Sequence, residues 1–238
     1  MVNLSVNINK VALLRNSRGK NLPDVLKVAQ DCVRFGADGI TVHPRPDGRH
    51  IRKDDVYQLA EHLEVEFNVE GYPSESFLSM MEEVRPAQCT LVPDPPGALT
   101  SSAGWDTLKH KHFLLEVIQR LQQVGIRTSI FIETELDQIG MAREIGTDRI
   151  ELYTEEYANQ HAENPEAAIA PYTRAAAYAA EIGLGVNAGH DLNLKNLAYF
   201  AENIPSLQEV SIGHALISDA LYMGLETTIA KYQKSLGK

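Results

Sequence analysis

The chain has 238 residues, 44% of them apolar and 23% charged, which is enough to bury a full core without a disulfide or a structural metal. Its 22 Lys and Arg against 32 Asp and Glu leave a formal charge of −10, which excludes a general nucleic-acid binder but not a local basic cluster for anionic small substrates. Cys32 and Cys89 form no CxxC and read as reduced, buried thiols. The N-terminus has no basic region followed by a long apolar run, and no stretch nears the ~20 apolar residues that cross a bilayer, so the expectation is a soluble, cytoplasmic protein.

In chain order, Val- and Ile-rich runs alternate with segments of helical periodicity. A strand is expected over Leu4–Asn9, then a helix over Pro23–Phe35 with Val25, Leu26, Ala29, Cys32 and Val33 on its apolar face. Strand Gly39–Pro44 precedes helix Arg52–Leu63, strand Glu64–Gly71 precedes helix Ser74–Val84, and strand Gln88–Pro93 precedes helix Thr107–Val124. The pattern continues with Arg127–Glu133 and Leu136–Ile145, Arg149–Thr154 and Pro165–Ile182, Leu184–Gly189 and Leu194–Ile204, and finally Glu209–Gly213 and Ala215–Leu236. Gly36, Gly125, Gly146 and Gly183 each follow a helical run and precede a strand, as helix C-caps do. Eight such units of about 30 residues predict a closed (β/α)₈ TIM barrel formed by residues 1–238 as one domain. The alternative is an open doubly wound sheet, but the first strand ends in Asn7-Ile8-Asn9-Lys10 and carries no Gly-rich phosphate loop.

A barrel places its active site at the C-terminal ends of its strands. Those ends carry Asn7, Asn9 and Lys10, then His43 and Arg45 with His50 beyond, then Glu70, Glu133, Glu151 with Tyr153, Asn187 with His190, and Gly213-His214. Four His and three Glu on one rim suit proton transfer, because His titrates near neutrality and a desolvated Glu is raised toward it. Alternation puts Glu151 on the side of its strand opposite to Ile150, facing inward; a buried structural ion pair is the competing explanation. His62, His110, His112 and His161 fall on helices or in a polar loop and read as solvated.

Gly213-His214 ends a strand and opens a helix, an arrangement whose backbone N–H groups bind phosphate. A basic cluster after the first two strands, Lys10, Arg15, Arg18, Arg45, Arg49, His50, Arg52 and Lys53, makes a second anion-friendly region. The Gly-, Pro- and Ser-rich stretch 94–106 is long for a βα loop and is expected to act as a lid. No HExxH occurs, and His110-Lys111-His112 lies on a predicted helix, where alternate residues face apart, so no metal site is expected. A Schiff-base aldolase is disfavoured because Lys10 is the only Lys at a strand end.

Several blocks spread in order along the chain resemble the pyridoxine 5′-phosphate synthase family. They are Val6-Asn7-Ile8-Asn9, Leu14-Arg15-Asn16-Ser17-Arg18-Gly19, Gly36 to His43, Arg49-His50-Ile51, Asn68-Val69-Glu70, Leu91-Val92-Pro93, Val186-Asn187-Ala188-Gly189-His190 and Ile212-Gly213-His214-Ala215. The resemblance implies a (β/α)₈ barrel with extra helices, assembled as a homo-octamer of dimers, with no metal or organic cofactor. It implies condensation of 1-deoxy-D-xylulose 5-phosphate with 3-amino-2-oxopropyl phosphate to pyridoxine 5′-phosphate, phosphate and water. On matching positions, His43 and Glu70 resemble proton acceptors, His190 a proton donor and Glu151 a transition-state stabiliser. Asn7, Arg18 and Gly213-His214 match contacts to the aminooxopropyl phosphate, and Arg45, His50 and Thr100 match contacts to deoxyxylulose phosphate. The better-known form of the family has Asp-His where this chain has Asn9-Lys10, both still able to donate to substrate oxygens, and a Gly where it has Asp191, which offers an anion its backbone N–H. Two rivals remain from the residues alone: a phosphosugar isomerase or epimerase, and a non-catalytic barrel that binds phosphometabolites. The first needs only one phosphate site and one acid/base pair, and leaves half the rim unexplained.

Overall fold

The computed structural model describes residues 1–94 and 103–238. Among these, eight parallel strands close into a barrel: β1 (Asn3–Asn7), β2 (Gly39–Val42), β3 (Glu66–Gly71), β4 (Gln88–Leu91), β5 (Arg127–Ile132), β6 (Arg149–Tyr153), β7 (Gly185–His190) and β8 (Leu207–Ile212). Each strand pairs with its successor, and Leu4 of β1 lies beside Val210 of β8, so the sheet has no edge and the open-sheet alternative is excluded. The helices are α1 (Asn9–Asn16), α2 (Val25–Arg34), α3 (Lys53–His62), α4 (Glu75–Val84), α5 (Lys111–Gln123), α6 (Leu136–Ile145), α7 (Glu155–Gln160), α8 (Pro165–Glu181), α9 (Leu197–Asn203), α10 (His214–Met223) and α11 (Leu225–Ser235). No described helix is long and apolar enough to cross a membrane.

The helix ends follow from local chemistry. Asp24 and Ser74 accept hydrogen bonds from the backbone N–H groups of Lys27 and Phe77, which starts α2 and α4. Gly36, Gly125, Gly146 and Gly183 all take positive φ (82–105°), as their placement before strands anticipates. Three departures have physical causes. The first strand stops at Asn7 and not Asn9, because the Asn7 side-chain oxygen accepts from Asn9 N–H (3.1 Å) and turns the chain into α1. The long C-terminal helix is two helices, broken by Gly224 at φ +78°. The helix expected from Thr107 begins at Lys111, because the Thr107 hydroxyl and N–H are both held by Gln138.

The strands have two unlike faces. Leu4, Val6, Ile40, Val42, Phe67, Val69, Leu91, Ile130, Ile132, Ile150, Leu152, Val186, Val210 and Ile212 are buried and form the apolar layer on which the helices pack. The other face is polar. Ser5 bonds Thr41 (2.7 Å), Asn68 donates to Thr41 (3.4 Å), and Thr90 donates to Asn68 (3.0 Å), which links β1 to β4. Nearer the N-terminal ends, Gln88 accepts from Arg127 (2.9 Å) and Arg149 (3.4 Å), Glu66 is paired with Arg127, and Asn187 donates to Glu209 (3.4 Å). Bonds between β4 and β6, or β3 and β5, skip a strand and can only run through the barrel interior. Barrel interiors are more often filled with branched aliphatic residues; this one is hydrogen-bonded.

Both cysteines are buried and unpaired, as expected. The −10 charge sits largely outside, on helices carrying residues such as Glu61 and Glu83. Arg15 is not part of an open basic cluster: its guanidinium is buried and clamps both oxygens of Asp55 (2.5 and 2.8 Å). Asp55 also accepts from Arg52 N–H (2.8 Å) at the start of α3, so the pair fixes α1 to α3. Asp55→Ala leaves the Arg15 charge buried and unpaired; chemical unfolding is expected to show a loss of about 3–5 kcal/mol.

Candidate active site

The C-terminal rim gathers four titratable side chains. His43 lies just past β2, Glu70 near the end of β3, Glu151 within β6 and His190 at the end of β7. The register of β2 and β3 explains one convergence: Thr41 is level with Asn68, so His43 and Glu70, each two positions on, reach the same upper layer. His43 Nδ1 is 3.8 Å from Glu70 Oε2, and Asn7 reaches the same oxygen at 3.5 Å. Asn9 accepts from His43 N–H (2.9 Å) and so braces the end of β2.

Burial sets the protonation states. It pushes the Glu70 carboxyl up to about 8, helped by the Asp94 carboxylate and opposed by Arg45. Glu151 is pushed up to about 8 by burial and by the neighbouring Glu70, with His190 opposing. His43 is held well below its ordinary value by burial and by the charge of Arg45. His50 is lowered to about 4, again first by burial and then by Arg45. Its Nδ1 accepts from Ile51 N–H (2.9 Å), so the neutral ring carries its hydrogen on Nε2. At pH 7 the His43 and His50 rings are therefore neutral, and the Glu70 and Glu151 carboxyls hold their protons.

Two glycines make room for these groups. A Cβ on Gly189 would lie 2.4 Å from Glu151 Oε1, so Glu151 occupies the space that a side chain there would fill. A Cβ on Gly213 would press on Asn7 at 3.1 Å, which brings the start of α10 against the end of β1. His214 opens α10 and is exposed, as are Lys10 and Arg18 near α1.

Arg45 is buried and bonded to Asp94 (2.6 Å). A cavity of about 280 Å³ lies beside them, lined by His43, Tyr72, Phe77, Arg52 and Lys53 among others. Asp191 does not turn its backbone N–H to the rim opening: that group donates to the buried Thr154 hydroxyl (3.4 Å), and its carboxylate bonds His190 Nδ1 (2.9 Å). Thr100 and most of the expected 94–106 lid lie outside the described residues. The stretch after them is anchored: Trp105 is buried, its backbone N–H donates to Phe131 C=O (2.9 Å) and its indole to Leu91 C=O (3.0 Å).

Sequence reasoning missed Asp94, Glu209 and Glu66. Asp94 lies three residues past the end of β4, and this closeness to a strand end is a usable signal. Glu209 sits inside β8 and is raised to about 8 by burial and by Glu66; no spacing rule marks it. Two of the four other histidines are half-buried and not fully solvated: His110 packs on Trp105 (5.4 Å), and His161 on Tyr157 (5.1 Å), one turn earlier at α7, and on Tyr199 (5.5 Å) of α9. Among the described residues, no group of three or more His, Cys, Asp or Glu is arranged to hold a metal ion.

Residues 4–238 match the family described as pyridoxal phosphate biosynthesis protein PdxJ. The chain belongs to this family. It is 60% identical over 236 residues to the pyridoxine 5′-phosphate synthase of Porphyromonas gingivalis, covering 99% of both chains. It is 56% identical to the protein of that name from Cytophaga hutchinsonii, over the full length of both. Membership makes it an enzyme of pyridoxine biosynthesis. Solved structures of low identity share the fold alone: phosphoribosylanthranilate isomerase of Thermotoga maritima superposes with a TM-score of 0.62 at 14% identity, covering 100% of this chain and 99% of the other. Thiamine phosphate pyrophosphorylase of Pyrococcus furiosus gives 0.61 at 10%, covering 99% and 96%.

The raised carboxyls link site and stability. The folded chain keeps a proton on Glu151 that the unfolded chain releases above about pH 4.5, so this group's contribution is complete below that pH and is lost as pH rises through about 8. Glu151→Gln is expected to flatten the decline of unfolding free energy over that window, by up to about 1.4 kcal/mol per pH unit. Urea unfolding at a series of pH values measures it; parallel slopes for the two proteins would contradict the burial of a protonated Glu151.

Proposed function

We propose that the enzyme condenses 1-deoxy-D-xylulose 5-phosphate with 3-amino-2-oxopropyl phosphate, releasing pyridoxine 5′-phosphate, inorganic phosphate and water. The observation that carries this reading is the meeting of Glu70 and Glu151, both raised to about 8, with His43 on one rim. Imine formation, enolisation, dehydration, phosphate loss and ring closure are nearly all proton transfers, and groups titrating near neutrality exchange protons in either direction at little cost. The names of the curated relatives support the same product.

In this reading His43, kept neutral by its surroundings, takes a proton through a ring nitrogen, and Glu70 beside it takes part in the same enolisation steps. His190 donates to leaving oxygens. Glu151 stabilises charge as it develops on the condensing carbon skeleton. The aminooxopropyl phosphate sits on the first turn of α10, where backbone N–H groups at Gly213-His214 lack intrahelical partners, with Asn7 and Arg18 alongside. Asn9 and Lys10 lie next to this subsite. Deoxyxylulose phosphate takes the side of Arg45 and His50, and the adjoining cavity of about 280 Å³ suits one phosphosugar. Residues 1–238 act as one cytoplasmic domain, with no metal or organic cofactor in these steps.

We place this chain in a homo-octamer. Leu13 and Leu14 on α1 are 44% and 56% exposed, and Leu221 and Tyr222 on α10 are 75% and 92% exposed, an apolar content that contact with other subunits would cover. Tyr222→Asp with Leu221→Asp is expected to lower the particle mass by light scattering.

Incubating the purified protein with both phosphates, while following inorganic phosphate and product absorbance, tests the activity. His43→Ala, Glu70→Gln and His190→Ala should each cut turnover by at least ~10²-fold with the fold intact. Turnover of one phosphate alone would point to an isomerase, and none with both to a binding protein.

A further inference from the structure

We infer that Asp191 is a positioning residue that fixes which nitrogen of His190 exchanges protons. His190 ends β7 at φ +108°, a backbone conformation that L side chains rarely adopt, so its ring is aimed by constraints beyond its own backbone preference. Groups from three elements hold the ring. Asp191 Oδ2 lies 2.9 Å from Nδ1, the Tyr153 ring meets it edge-on with centroids 5.4 Å apart, and Phe131 packs at 6.3 Å. A carboxylate oxygen only accepts, so Nδ1 carries the hydrogen and Nε2 is the nitrogen that gains and loses a proton.

Asp191 is itself held in place. Its N–H donates to the Thr154 hydroxyl (3.4 Å), which donates in turn to Gly189 C=O (2.7 Å). Its carbonyl accepts from Asn193 (3.2 Å) and from the buried Asn196 (3.4 Å). The backbone is thus pinned on both sides, while the side chain remains 42% exposed. An ion pair that exposed contributes little to stability, so its consequence lies in the tautomer and aim of the imidazole. The ionisable groups around the ring are Glu151 and Tyr153 on β6, His43 beyond β2, and Asp191; Glu155 reaches it through the Tyr153 hydroxyl (2.6 Å). Of these, Asp191 is the group bonded to Nδ1, and that bond sets the tautomer.

This inference rests on the proposed role of His190 as proton donor, and its first test does not depend on that role. The protein is labelled with ¹⁵N-histidine, and the His190 resonances are assigned by their loss in His190→Gln. Above the imidazole pKa, His190 should show a protonated Nδ1 and a bare Nε2. Asp191→Ala should shift it to the Nε2–H form that free imidazole side chains favour, whereas Asp191→Asn, whose amide oxygen can still accept, should keep the Nδ1–H form. With both phosphates as substrates, Asp191→Ala should lower kcat at least about 10-fold with KM values within about twofold, and Asp191→Asn should recover part of the loss. An unchanged tautomer in Asp191→Ala, or an effect confined to KM, overturns the inference. If the unaltered enzyme fails to condense the two phosphates, the proposed reaction falls while the spectra still decide the role of Asp191.

Discussion

The constraint on which the structure depends is the polar filling of the barrel. Closing eight strands leaves a space that side chains must occupy, and here Ser5, Thr41, Asn68, Thr90, Gln88, Glu66, Arg127, Arg149, Asn187 and Glu209 occupy it. A polar group buried without a partner costs more than most single contacts gain, so these residues must be mutually satisfied. That requirement fixes strand register, because shifting any one strand by a residue would turn its polar face into the apolar helix layer. The same alternation that sends Ile150 and Leu152 outward sends Glu151 in.

From this filling follows the chemistry of the rim. The lower interior carries compensating charge: Glu66 is paired with Arg127, and Arg149 lies 3.7 Å from it. Higher up, cations are scarcer. Glu70 and Glu151 lie among Thr90, Asn7 and one another, and Arg45 is already bound to Asp94. Carboxyls in that position keep their protons to about pH 8, and the imidazoles above them stay neutral. A site of weak acids and bases near neutrality thus results from where the charges in the barrel are balanced and where they are not.

Much of the fold was legible in the sequence. The eight strand–helix units, the glycine C-caps and the placement of Glu151 on an inward face come from period and local chemistry alone. The missed pieces were decided by particular side-chain partners, some distant in sequence and some near. Arg15 reads as a solvated loop cation until Asp55, 40 residues on, is seen to clamp it. α1 begins where Asn7 bonds two residues ahead, and the half-buried His110 and His161 rest on nearby rings, Trp105 and Tyr157, with Tyr199 added from another helix.

By itself the sequence determined that one chain of 238 residues has the periodicity for a barrel and places His43, Glu70, Glu151, His190 and Gly213 at strand ends. It also determined that the −10 charge is compatible with anionic substrates, since basic residues cluster near those ends. Tertiary structure alone decided how those groups behave. Whether Glu151 is an ion-pair anchor or a protonated acid depends on the distance and burial of Glu70 and His190, and whether Arg45 is open or bound depends on Asp94. Desolvation and Coulomb energies are set by separation in space, and the sequence spells out only separation along the chain.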